Sequence, residues 1–241
     1  MLAALVGLAA VLTSCSVKEE INNSSMKQTS KVCVNVRTFD LEQSDIPTRA
    51  SESVPPHRLV FKALDSDGNT AWETVQTAGS EGFGTVQFEL SPGDYTFVAV
   101  AHDLSSASLA DDFAATISSS GKVVFPEANV YDSFCGVKAV TVLPSTDFSA
   151  GMSLPRVNSY FRITLNDAIP AGTKQFKLVV NSSAAEADGN PEVNPANGLA
   201  LEDRQYERSF DISASKGMSG VTISANMFLT DVTQEVDVTA S

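Results

Sequence analysis

The chain has 241 residues, 43% apolar and 19% charged, enough apolar content to fold around one large core or two ordinary ones rather than stay disordered. Its 29 acidic residues outnumber 16 basic ones, a net charge of −13, which leaves no basic footprint for a phosphate backbone and excludes nucleic acid as a partner. The same excess keeps such a chain soluble through self-repulsion.

Residues 1–12 form an apolar run rich in Ala, Leu and Val. A bilayer-spanning helix needs about 20 apolar residues, so the run is too short to cross and reads as the core of a signal peptide. Leu12-Thr13-Ser14-Cys15 follows directly. Small residues before a cysteine at this place resemble the bacterial lipoprotein lipobox, although no Lys or Arg precedes the apolar run. That resemblance implies a leader over 1–15, with Cys15 as the first mature residue, carrying acyl chains such as palmitate at the outer membrane. Each buried methylene contributes about 0.8 kcal/mol, so several chains on one cysteine hold a soluble domain firmly. Residues 16–30 are polar and lack apolar periodicity, as a tether does. Within them, Lys18-Glu19-Glu20 resembles the export signal of Bacteroidetes surface lipoproteins and reads equally as solvated tether.

From Lys31 the pattern is β. Val32, Val34 and Val36 alternate with Cys33, Asn35 and Arg37, which predicts a half-buried strand with Cys33 turned from the valine face. Residues 41–56 break the pattern with Pro47, Pro55 and Pro56, and predict an exposed loop. Strands are predicted over 57–64 and 71–75, joined through Asp67-Gly68 as a type I′ hairpin. The glycine is misplaced for a calcium loop. Val86, Phe88 and Leu90 alternate next. Pro92-Gly93 then turns the chain into 95–101, an almost continuous apolar run and hence a central strand. Leu109, Phe113 and Ile117 recur every fourth residue and predict a short helix or loop over the core. Strands at 122–125 and 136–143 complete one unit. A second unit holds strands at 160–165, 175–180, 208–213 and 221–229, a long loop over 182–203, and a last strand entered by Val236 and Val238. Many short strands at close spacing predict an all-β, sandwich-type fold in two units, 31–145 and 152–241.

The chemistry-bearing residues do not assemble into a motif. His57 and His102 each stand at a strand end, outside any zinc-ligand spacing, and read as surface residues. No nucleophile elbow or phosphate-binding glycine loop occurs. Adjacent acids at Asp111-Asp112 and Glu202-Asp203 point apart in extended chain. Trp72 and four tyrosines form no stacking stripe. The expectation is a binding or structural protein, not an enzyme, with no catalytic, cofactor or metal residues. Cys33 and Cys135 remain; in an exported protein they are compatible with a disulfide or with two free thiols.

Three stretches, in order, resemble the fimbrillins and fimbrial anchor subunits of Bacteroidetes type V pili. They are Ser91-Pro92-Gly93-Asp94-Tyr95-Thr96-Phe97-Val98-Ala99, then Asp132-Ser133-Phe134-Cys135-Gly136, then 154–170 with Arg156, Phe161, Arg162, Asp167 and Pro170. The resemblance implies two tandem transthyretin-like β-sandwiches, the second incomplete at its C-terminus and either a fragment or completed by a partner strand. It implies a fimbrial subunit or anchor that joins other subunits by strand donation and supports cell adhesion. Cleavage would follow Arg49, leaving Ala50 as the new amino terminus and displacing the strand at 32–39; anchor members of the family keep their lipid and stay uncut. The alternative function is a surface lipoprotein that binds a glycan or protein ligand and never polymerises.

Overall fold

The computed structural model describes residues 29–39, 56–102, 115–125, 132–180, 191–202 and 206–231. Among these the regular structure is all strand, apart from one 3-10 turn at Ser213–Ser215. In chain order the strands are β1 (Ser30–Phe39), β2 (Arg58–Asp65), β3 (Thr70–Thr77), β4 (Thr85–Leu90), β5 (Gly93–His102), β6 (Thr116–Ile117), β7 (Val123–Val124), β8 (Ser133–Val142) and β9 (Phe148–Pro155). Then come β10 (Ser159–Leu165), β11 (Gln175–Val180), β12 (Glu192–Val193), β13 (Tyr206–Asp211) and β14 (Val221–Met227).

The sheet β3-β2-β5-β8 faces the sheet β4-β1-β9 across one core, which is the sandwich arrangement. Phe61 and Phe97 enter it from the first sheet; Val34, Val86 and Leu154 enter it from the second. Every second residue of a strand points the same way, so the alternation at β1 and β4 buries one face and leaves the other wet. β5 is apolar from Phe97 to Ala101 because both its faces are covered there. Phe97, Ala99 and Ala101 face the sandwich core, while Val98 and Val100 face a second apolar layer. That layer includes Ile117, Val123, Phe125, Val193 and Phe228, and carries the small sheet β12-β7-β6. A third core, with Leu178, Ile223 and Met227, lies between the sheets β10-β14 and β11-β13.

Four expectations meet a different arrangement. β9 pairs in parallel with β1, and Met152 and Leu154 lie in the first core, so that core reaches past residue 145 into the stretch assigned by sequence to the second unit. The turn after β2 is not a two-residue hairpin: the Asp65 N–H donates to the Asn69 carbonyl at 2.9 Å, so the three residues 66–68 are looped out. The Asp65 carboxylate accepts the N–H groups of Asp67 and Asn69, and Gly68 takes φ 82°. Ile117 lies in β6, not in a helix. Within the expected loop over 182–203, Glu192–Val193 is a strand that pairs with β7.

Candidate strand-exchange site

β1 is the middle strand of its sheet. It runs antiparallel to β4, with Val34 opposite Val86, and parallel to β9, with Val34 opposite Ala150. Val32 and Val34 are buried in the core and Val36 packs against it. Lys31, Cys33, Asn35 and Arg37 take the opposite face. The start of the strand is pinned to the corner after β8: the Ser30 hydroxyl donates to the Leu143 carbonyl at 2.6 Å and accepts the Thr146 N–H at 3.3 Å. The two fully buried valines contribute about 3–6 kcal/mol by area, and main-chain hydrogen bonds run along both sides. A strand that left would forfeit these contacts.

Without β1, the remaining strands β2 to β9 are still joined in sequence. What opens is a slot between β4 and β9, bordered by Val86, Phe88 and Leu90 on one side and Met152 and Leu154 on the other. Only the segment 40–57 links β1 to β2. It contains Arg49 and Ala50, which lie outside the described residues, as does Cys15.

The two later sequence motifs meet in space. Arg156 pairs with Asp132, and its guanidinium lies 5.1 Å from the Phe134 ring centroid. The Asn158 side-chain oxygen accepts the Ser133 N–H at 2.8 Å, and the Val157 N–H donates to the Ser133 carbonyl at 2.9 Å. These contacts tie the start of β8 to the chain leaving β9.

His102 is buried, 2% exposed, and not a surface residue. It stands in a row with Arg58 on β2 and Ser133 on β8. Its Nε2 accepts the Ala115 N–H at 3.3 Å. Burial, and after it the Arg58 guanidinium, push it down to about 4. A neutral, enclosed imidazole fits a structural role. His57 is half-buried. Cys33 and Cys135 are both free. Cys33 lies on the outer face of β1 and Cys135 in the apolar layer outside β5 and β8, so both sheets separate them. Trp72 packs against the first core and stacks on Phe88. Glu202 is exposed, while Asp203 and Asp111-Asp112 lie outside the described residues. No group of three or more potential metal ligands occurs among the described residues.

β9 is the part of the slot that the sequence hid. Phe148, Ala150, Met152 and Leu154 do alternate, but with Ser149, Gly151 and Ser153, which look like loop.

No protein-family model matches the chain, and no curated protein matches it. Solved structures do. A Bacteroides ovatus protein provisionally described as an adhesin aligns with a TM-score of 0.57 at 15% identity, over 87% of this chain and 72% of its own. A Bacteroides thetaiotaomicron protein provisionally described as polysaccharide binding aligns with a TM-score of 0.54 at 13% identity, over 88% of this chain and 76% of its own. A fimbrial anchor protein from Porphyromonas gingivalis aligns over 88% of this chain and 76% of its own at 13% identity, with a TM-score of 0.48, too low to argue from. The chain is thus similar in fold to the two Bacteroides proteins.

Proposed function

We propose that this chain is a cell-surface fimbrial subunit or anchor, built as two tandem transthyretin-like sandwiches, that joins its neighbours by main-chain strand exchange and supports cell adhesion. The observation that carries this reading is the place of β1: mid-sheet, first in order, and joined to the rest only through the segment holding Arg49. Cleavage after Arg49 frees β1, and a strand from another subunit takes its place, antiparallel to β4 and parallel to β9. Main-chain hydrogen bonds supply affinity, and alternate apolar side chains in the positions of Val32, Val34 and Val36 set the register. The fold similarity and the three ordered motifs support the fimbrial assignment. Acylation at Cys15 ties the precursor to the outer membrane. No step of this function calls for catalysis or a cofactor.

The test is to treat the purified chain with a trypsin-like protease and follow its size on a gel without boiling. Ladders that appear with a new amino terminus at Ala50 support a polymerising subunit. A lipidated Cys15 terminus on the native protein, with the slot still filled by β1, identifies an anchor. A cut chain that stays a monomer, with or without added uncut chain, rejects strand exchange.

A further inference from the structure

Lateral addition of a strand to a sheet edge needs a row of free donors and acceptors. The sheet β4-β1-β9 has two such edges, and a side chain from the opposite sheet reaches each.

On β4, the Val36 N–H donates to the Gly84 carbonyl at 2.7 Å, so the groups of Val86 and Phe88 face β1 and those of Thr85, Gln87 and Glu89 face outward, while the Gly84 N–H is turned away from β1. The Thr85 carbonyl accepts the Gln76 side-chain amide at 2.9 Å, and the Gln76 amide oxygen accepts the Gly84 N–H at 2.8 Å. The Gln76 side chain thus takes up the first outward carbonyl of a six-residue strand and the N–H of the glycine just before it.

On β9, Lys138 of β8 donates from Nζ to the Gly151 carbonyl at 2.8 Å, in the middle of an eight-residue strand. The next carbonyl on the same side, that of Ser153, faces Gly136 of β8, where an added Cβ would come to 3.0 Å. Beyond it Arg156 bridges directly to Phe134 of β8. The β9 edge therefore runs into β8 at one end and is covered by an ammonium group in its middle.

We infer that Gln76 and Lys138 are edge guards, which interrupt both open edges of this sheet so that an incoming strand enters at the place of β1 and not alongside it. The purpose of the guards rests on the strand-exchange reading, but their action shows in the uncut chain. Failure of cleaved chains to form ladders would sink that reading alone.

The test uses the full uncut chain and light scattering over a concentration series. The parent stays monomeric. Gln76→Ala with Lys138→Ala raises the oligomeric fraction at least about tenfold, and Lys138→Arg in place of Lys138→Ala brings it down to the level of Gln76→Ala alone, since a guanidinium still reaches the carbonyl. Lys138→Ala alone gives a partial rise and keeps the melting temperature of the parent. A monomeric double variant overturns the inference, and so does equal oligomerisation of Lys216→Ala, which removes a charge elsewhere on the surface.

Discussion

Trp72 lies flat on Phe88, with ring centroids 4.3 Å apart and planes 10° from parallel. Through this pair the edge strand of one sheet closes over the edge strand of the other, and Phe61 and Phe97 continue the aromatic contact inward. Phe88→Ala removes the ring that supports Trp72 and leaves a cavity, at a cost of about 3–5 kcal/mol. Trp72 is the sole tryptophan, so its fluorescence reports on this corner alone. The expected result is a red-shifted emission in the folded variant and a lower urea midpoint at unchanged slope.

Gly136 and Gly151 sit on neighbouring strands and should answer oppositely to the same change. A Cβ on Gly136 meets the Ser153 carbonyl at 3.0 Å and a Leu154 methyl at 3.1 Å, so β9 must shift away from β8. Gly136→Ala costs about 1–3 kcal/mol as an overpacked site. At Gly151 a Cβ meets nothing within 4 Å, and Gly151→Ala is neutral or slightly stabilising through the unfolded chain. Paired urea melts check both.

His102 makes stability depend on pH. Burial and Arg58 lower it from 6.5 to about 4. Between those values the unfolded chain takes up a proton that the folded chain refuses. The contribution is complete above pH 6.5 and is lost as the pH falls towards 4, reaching about 3 kcal/mol at the far end. His102→Gln keeps an acceptor for the Ala115 N–H and removes the titration. The unfolding free energy of the variant should fall less steeply with acid over this window. Equal slopes for the two proteins would falsify the assignment.

Phe125 and Phe228 meet at a tilt of 37° with ring centroids 4.5 Å apart, linking the small sheet on the first sandwich to the strand that closes the third core. Phe228 is fully buried there. With a shared apolar layer between them, the two units should unfold together. Phe228→Ala costs about 3–5 kcal/mol and weakens that layer most. In hydrogen exchange, the amides of β10 and β14 should then open before those of β2 and β5, whereas the parent opens them together.

The strands most legible in the sequence are those whose environment matches one simple pattern. β11 lies where the run Gln175–Val180 places it, and β1 and β4 alternate as half-buried strands do. β5 declared itself by continuous apolar character, which two covering layers require. β9 stayed hidden because its outer positions carry Ser and Gly. β7 lies within the strand predicted at 122–125, whereas the two-residue strands β6 and β12 are too short for any period, and β12 is joined to β7 only by long-range pairing. His102 looked like a surface residue because nothing local signals what a sheet face will be covered with. The slot follows from topology, since the parallel pairing of β1 with β9 joins residues more than a hundred positions apart.

The two thiols give a direct view of β1. Cys135 is buried, and burial pushes its thiol up to about 12, so the reactive thiolate is scarce. Cys33 is partly exposed on the strand proposed to leave. In a Cys15→Ser chain, a maleimide dye should modify Cys33 first and Cys135 at least about a hundredfold more slowly, until denaturant is added. The label on Cys33 then follows β1 after cleavage at Arg49. With uncleaved protein, dye and core migrate together on a native gel. Once cleaved chains are mixed with an excess of unlabelled subunits, exchange of β1 carries the dye away as a small peptide. Dye that remains with the core while ladders form would mean that subunits join somewhere other than the slot between β4 and β9.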